Sequence, residues 1–424
     1  RWRVLAPAVP GWTRAVSPTE RVRVVRFPLW IRRVSVSSTG TQANGETDGG
    51  ALSADGRVVV FDSGASNLVP SDTNDHTDVF VYDRDSGVTS RVNVSSTGTQ
   101  AYEVSGGGAP SADGRYVVFD SWASTLVPRD TNDTDDVFVH DRDTGVTSRV
   151  NVSSTGTQAN DWSFGGALSS DGRFVAFESW ASTLVPDDTN DRGDVFVHDR
   201  VSGVTSRVSV SSTGTQADDW SEAGALSADG RFVAFGSRAA NLVPDDTNDA
   251  FDVFVHDRVS RQTSRVSVSG TGTQANDSSR AGALSADGRY VVFDSWASNL
   301  VPADTNRRHD VFVHDRVGGV TTRVSVSSTG TQAKGWSEEG ALSADGRYVV
   351  FTSRASTLVP DDTNTNDFDV FVHDQVSGQT RLVAPGGARG MSGDGRFIVL
   401  GSDSAYLVAG DTNRVTDVFL ARLW

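Results

Sequence analysis

Seven copies of one unit run through this chain, and that count constrains its fold more than any other feature. A Ser-Ala-Asp-Gly-Arg stretch recurs with small variations and places its aspartate at Asp55, Asp113, Asp171, Asp229, Asp287, Asp345 and Asp394, spaced 58 residues apart five times and then 49. A period of this length marks a repeat architecture, in which each unit buries its apolar surface on its neighbours.

Each unit reads as four short strands. Gly50-Ala51-Leu52-Ser53 leads into Ala54-Asp55-Gly56, where the Asp-Gly pair predicts a two-residue hairpin. Val58-Val59-Val60-Phe61 is apolar at successive positions, the pattern of a strand buried on both faces. Asp78 to Asp83 forms a third strand, Asp85-Ser86-Gly87 turns the chain, and Thr89 to Val94 alternates as a half-exposed fourth. Four antiparallel strands repeated radially make a propeller blade. Small residues such as Gly50-Ala51, Gly108-Ala109 and Gly166-Ala167 suit an innermost strand crowded around an axis, where Pro110 is also tolerated. Arg91, Arg149, Arg207, Arg265 and Arg323 on the outermost strand discourage edge-to-edge pairing.

The ends are complementary. The last unit stops at its third strand, Asp417-Val418-Phe419-Leu420, and an orphan fourth strand, Arg33-Val34-Ser35-Val36, precedes the first unit. Pairing them closes a ring, which neither a parallel β-helix nor an open array of sandwiches explains. The expectation is an all-β chain, a seven-bladed β-propeller of four-stranded antiparallel blades over residues 31–424, behind a basic extension at 1–30.

The run Ser111 to Phe119, followed by Asp136-Val-Phe-Val-His-Asp-Arg142, resembles the WD40-like repeat of TolB-type propellers. The likeness covers about residues 31–424. TolB propellers have six shorter blades and a separate N-terminal domain, and this chain departs from both features. The resemblance implies an extracytoplasmic bacterial propeller (secreted, periplasmic or cell-surface) that binds a partner, without naming it.

Charge narrows the partners. Of the formal −16, residues 1–33 contribute eight arginines against Glu20, so the remainder carries −23. So acidic a body repels phosphate backbones, which argues against nucleic acid and favours cations or basic and neutral ligands. With no cysteine there is no disulfide framework or thiolate metal site, and no apolar stretch reaches the roughly 18 residues of a membrane helix.

Antiparallel blades put the tight turns on one face of the disc and all the long loops on the other, and the long-loop face is the expected working surface. Each within-blade loop ends in an acidic frame. The frames are Asp72, Asn74, Asp78; Asp130, Asn132, Asp136; Asp188, Asn190, Asp194; Asp246, Asn248, Asp252; Asp304, Asn306, Asp310; Asp362, Asn364, Asp369; and Asp411, Asn413, Asp417. Two readings stand. Hard oxygens at alternate positions closed by a later carboxylate suit Ca²⁺, and the same residues also cap loops through Asx-turns. A fourth acid, present as Asp75, Asp133, Asp191 and Asp249, is replaced by Arg307 and Arg414, so calcium is expected to be weakest in the fifth and seventh blades.

Histidines at 140, 198, 256, 314 and 373 recur on the third strand without a second histidine at ligand spacing, and read as packed or hydrogen-bonded strand residues. The tryptophans vary between units instead. Trp162, Trp220 and Trp336 follow the connection between blades, and Trp122, Trp180 and Trp296 open within-blade loops. Such variation marks exposed positions, where indoles either stack on sugar rings and cationic groups or pack between loops. Catalysis would need a local break in the repeat. The breaks are Arg261 for a turn glycine, an extra residue in Asn364 to Asp369, and the short connection Val383 to Arg389; none gathers a nucleophile, base and orienting group.

Three functions follow. The first is a non-catalytic binding propeller, calcium-stabilised if the Asp-Thr-Asn loops take the ion, with a glycan or protein ligand on the long-loop face. The second is a polysaccharide-acting hydrolase or lyase using loop-face carboxylates. The third is an assembly protein docking through its basic N-terminal segment.

Overall fold

A computed structural model of the chain describes residues 30–360, 362 and 367–424. Asn364 and the basic segment before Trp30 lie outside the described residues. Seven four-stranded antiparallel sheets form the blades of a β-propeller, six of them contiguous in sequence. In the first, the strands run from the axis outward as Thr47–Leu52, Val58–Ser63, Asp78–Asp83 and Val88–Arg91. The seventh combines Gly387–Met391, Phe397–Ser402 and Asp417–Arg422 with the outermost strand Trp30–Arg33. Trp30 pairs with Arg422 and Arg33 with Phe419, so the two ends of the described chain complete one sheet.

The closing strand lies three residues earlier than Arg33 to Val36. Val34 still donates to Val418 O at 2.9 Å, but Ser35 turns its hydroxyl onto Asp417 at 2.7 Å and the ladder ends. The same happens in the first blade, where the fourth strand stops at Arg91 because Asn93 reaches inward to Asp78 at 2.5 Å. An inward hydrogen bond to a buried carboxylate thus outcompetes one more ladder bond.

The first hairpin also differs from a two-residue turn. Ser53 N bonds Val58 O at 2.9 Å, leaving residues 54–57 between them, and only Gly56 takes a left-handed φ, of 65°. Asp55 Oδ1 accepts from Ser53 Oγ at 2.6 Å and Arg57 N at 2.9 Å, so the aspartate caps the turn rather than entering the left-handed region. Glycine is required at its tip twice over. At Gly172 φ is 69° and a Cβ would come within 2.2 Å of the Tyr116 ring of the preceding blade.

The apolar second strand is explained by packing on both sides. Val59, Phe61, Phe80 and Tyr82 join Val399, Val418 and Leu420 of the seventh blade, whereas Val58, Val60, Val79 and Val81 join Phe119 and Phe138 of the second. Inside each of the first six blades two phenylalanines stack, as Phe61 and Phe80 do at 5.8 Å. Backbone bonds link successive turns around the tight-turn face, from Ala54 N to Ala112 O at 2.9 Å through to Ala344 N and Gly393 O at 2.9 Å. On the rim, His140 Nδ1 lies 2.9 Å from Thr147 Oγ1, and that hydroxyl donates to Val94 O of the blade before. The hydroxyl must therefore accept from Nδ1–H, which fixes the tautomer. His198, His256, His314 and His373 repeat this arrangement, and burial lowers their pKa.

Candidate functional site

The long-loop face carries two kinds of polar cluster, one repeated and one not. The repeated cluster holds the acidic frames. Asp78 is fully buried and accepts from Arg91 Nη1 at 2.9 Å, Asn74 Nδ2 at 3.0 Å and Gln100 Nε2 at 3.2 Å. Asp72 takes Gln100 Nε2 at 2.8 Å and Arg91 Nη1 at 3.1 Å. Asn74 also donates to Ala101 O at 2.9 Å, and its own oxygen accepts His76 N at 3.3 Å, an Asx-turn. The outermost strand thus supplies the arginine and the following connection supplies the glutamine.

The same clamp recurs with Arg149 and Gln158 on Asp130 and Asp136, Arg207 and Gln216 on Asp188 and Asp194, and Arg265 and Gln274 on Asp246 and Asp252. Arg323 and Gln332 hold Asp304 and Asp310. In the seventh blade the closing strand brings Arg33, 3.3 Å from Asp417, and Gln42, 2.9 Å from Asp411. The sixth blade departs from the pattern, since Leu382 pairs with Phe371 where Arg91 pairs with Phe80.

These arginine-bearing clusters do not fit calcium. Its six to eight oxygens would have to converge within about 2.6 Å of one point, and there the carboxylates instead face N–H donors of arginine, glutamine and asparagine. Among the described residues no three acidic or imidazole groups could hold a metal ion together. Asp75, Asp133, Asp191 and Asp249 are exposed at left-handed φ between 51° and 59°, and Arg307 and Arg414 take the same conformation at 54° and 60°. Their position demands a backbone shape and tolerates either charge. Arg261 likewise keeps the left-handed φ, 59°, of the turn glycine it replaces.

The second cluster differs from blade to blade. At the long-loop end of each innermost strand a cross-strand pair stands beside the channel mouth. The pairs are Asp48 with Asp62, Gly106 with Asp120, Phe164 with Glu178, Glu222 with Gly236, Arg280 with Asp294, Glu338 with Thr352, and Gly387 with Gly401. Burial pushes Asp62 up to about 7, against a bond from Gly107 N–H and aided by Asp48. Burial also pushes Asp120 up to about 7, with Asp62 adding to the shift. Arg389, expected in the short connection, instead lies on the innermost strand of the seventh blade, because Gln379–Pro385 and Gly387–Met391 run almost directly into one another; it bridges Asp48 at 2.8 Å and Glu339 at 3.0 Å.

Tryptophans stand just outside this ring. Trp220 Nε1 donates to Glu178 Oε1 at 2.8 Å, Trp180 bonds the same carboxylate, and the Trp220 ring meets Phe251 edge-on at 5.1 Å. Trp296 stacks on His309 at 4.9 Å and meets Trp336 edge-on at 5.3 Å. Burial alone would lower the His309 pKa, but the Asp294 carboxylate at 2.7 Å and Glu338 overcome it and push it up to about 9. Between these aromatic groups lies a cleft of about 540 Å³ lined by Trp220, Glu222, Phe251, Asp277, Arg280 and Trp296. Trp162 leans on Phe164 and is 53% exposed, while Trp122 bonds Asp133 O at 3.2 Å away from the cleft.

Of the six tryptophans singled out in the sequence, Trp180, Trp220, Trp296 and Trp336 therefore make the ring and carboxylate contacts around the cleft, and Trp122 and Trp162 do not. The sequence reading missed Glu178, Glu222, Arg280 and His309. Their signal was the one that marked the tryptophans, free variation at a fixed position of the repeat.

No protein-family model and no curated protein sequence matches the chain. Among the described residues no helix is long and apolar enough to cross a membrane. Solved structures are similar to it. An oligogalacturonate lyase in complex with manganese aligns with TM-score 0.55 and 13% identity over 94% of this chain and 97% of that one. The β-propeller domain of the Trilobed protease from Pyrococcus furiosus, which has an open velcro topology, aligns with TM-score 0.54 and 10% identity over 89% and 95%. TolB from Acinetobacter baumannii aligns with TM-score 0.43 and 15% identity over 80% of this chain, which spans 63% of the TolB chain. At these identities the likeness is one of fold, a β-propeller.

Proposed function

We propose that this propeller is a non-catalytic, extracytoplasmic glycan-binding protein whose ligand lies across blades three to six on the long-loop face. The cleft between Trp220 and Trp296 carries the reading. Its aromatic rings offer flat apolar surface, while Glu222, Asp277 and Arg280 supply the polar groups that fix hydroxyls. The arginine-clamped acidic frames serve stability in this reading and need no cation.

Binding of an oligosaccharide library by calorimetry tests it. W220A and W296A are expected to weaken the best ligand at least tenfold each, and W122A, outside the cleft, to leave it unchanged. Equal affinity in all three variants would overturn the reading.

A second reading, a polysaccharide-acting enzyme, draws on Asp62 and Asp120, whose pKa values near 7 suit a proton donor. Turnover of a polysaccharide that is abolished in D120N but retained in W122A would favour it over binding alone.

A further inference from the structure

The tight-turn face holds a cavity that the repeat does not predict. In six blades one cross-strand row has an aspartate at its centre, as Val58 with Asp83 and Val88, or Tyr116 with Asp141 and Val146. That aspartate caps the following turn and pairs with an arginine, at 3.0 Å for Arg57 and 2.7 Å for Arg115. In the seventh blade the row reads Phe397, Arg422 and Trp30. No turn follows there, because the outermost strand comes from the other end of the chain, so the capping carboxylate is dispensable. Its replacement is a charge reversal all the same.

Two arginines meet Arg422 in this cavity where their counterparts meet an aspartate, as Arg115 meets Asp141 and Arg142 is drawn to Asp83 of the blade before. Arg396, the counterpart of Arg57 and Arg115, has among the described residues only Asp394 at 4.0 Å. Arg84 lies over the Phe397 ring at 4.3 Å. Its counterparts Arg142, Arg200 and Arg258 each donate Nη1 to a glycine carbonyl of their own blade at 2.6 Å, whereas Arg84 reaches Asp85 through Nε at 3.3 Å and its buried Nη1 has no hydrogen-bond partner among the described residues. Such an orphaned guanidinium nitrogen is costly unless something else accepts from it.

Arg84, Arg396 and Arg422 line one cavity of about 760 Å³ together with Phe397 and two half-exposed indoles, Trp30 and Trp424. Asp55 and Asp394 also border it, but each spends an oxygen on its own hairpin, taking Ser53 Oγ at 2.6 Å and Ser392 Oγ at 2.7 Å. Three guanidinium groups beside three aromatic rings form a receptor for an anion carried on a flat body, since arginine pairs with oxyanions in a planar fork and the rings cover the remainder.

We propose that this cavity binds a small ligand bearing an oxyanion, carboxylate or phosphate, on a planar ring. The site lies on the face opposite the tryptophan cleft and does not depend on it. The charge it selects has the same sign as the acidic body as a whole, so the attraction must come from the local guanidinium groups.

Calorimetry of the full chain with phenyl phosphate, benzoate, inorganic phosphate and phenol tests the assignment. Phenyl phosphate or benzoate is expected to bind saturably, more weakly as salt rises, with whichever binds tighter naming the oxyanion. R422D restores the aspartate of the other six blades, so it returns a partner to Arg396 and should fold; it is expected to cost at least tenfold in affinity. Retained glycan binding by R422D separates this result from failure of the long-loop site. Absence of saturable binding by both ring anions, or equal affinity in R422D, would overturn the proposal. Equal affinity for inorganic phosphate or phenol would remove the ring or the charge from the ligand.

Discussion

The acidic clamps and the tryptophan cleft share one face of the disc and use polar groups in opposite ways. In a clamp every acceptor meets a donor from its own blade or the next connection, and the pattern recurs wherever the outermost strand supplies arginine. In the cleft the residues differ at each blade, and their rings and charges are left partly open to solvent. Repetition here marks what holds the ring together. Departure from repetition marks what the ring presents. The same contrast separates the six arginine–aspartate rows of the tight-turn face from the seventh, where Arg422 breaks the pattern and a cavity opens.

The sharpest way to break this contrast is to remove a clamp together with the strand that brings it. Deleting residues 30–37 takes away the outermost strand of the seventh blade, Arg33 of its clamp and the Ser35 bond to Asp417. It also exposes the unpaired edge of Asp417–Arg422. The expected result is loss of cooperative unfolding or a fall of more than about 5 kcal/mol, comparable with the whole stability of a typical domain. Trimming residues 1–25 is expected to leave the melting temperature nearly unchanged. Equal melting temperatures for the two truncations would mean that the ring does not depend on its closure.

A single clamp gives a smaller effect. R149M removes the guanidinium from between Asp130 and Asp136 and strands two buried carboxylates, which costs about 3–5 kcal/mol. Millimolar calcium is expected to leave the melting temperature of the unaltered protein within about a degree, because the guanidinium already holds the carboxylates. In R149M calcium is expected to recover part of the loss. A calcium-dependent rise of several degrees in the unaltered protein, cancelled by a chelator, would show that the frames take a cation despite their arginines.

The ring was legible because its signals are local and repeated. Successive apolar residues in the second strand, a turn glycine and complementary ends each follow from backbone and packing rules that act within one or two blades. The clamps were half legible. Asp72, Asn74 and Asp78 stood out together, but their partners Arg91 and Gln100 lie 13 to 28 residues away along the chain, and only pairing of the strands brings them in. An arginine read as a guard on an exposed edge proved to be the counterion of a buried acid. Asp62 and Asp120 were hidden for another reason. Their place at the end of an apolar strand looks like a strand terminus, and their burial comes from Gly107 and Gly165 of the neighbouring blades, which accept the close approach.

Those two acids offer the finest test of the contrast, because they belong to the variable ring yet are half-buried. Asp120 titrates at about 7 in the folded chain against 3.8 in the unfolded one. A folded-state pKa raised in this way gives stability that is complete below 3.8 and is lost as pH climbs through 7. D120N keeps an oxygen that can accept from Gly165 N and removes the charge. It is therefore expected to be more stable than the parent at pH 8 by about 1–2 kcal/mol, a figure reduced from the full shift because the Asp120 side chain is only half-buried. At pH 4 the two should unfold at nearly the same urea concentration. A D120N protein that is less stable at both values would place Asp120 with the clamps, as a charged group already paired, and would remove the physical ground for assigning it a proton to give.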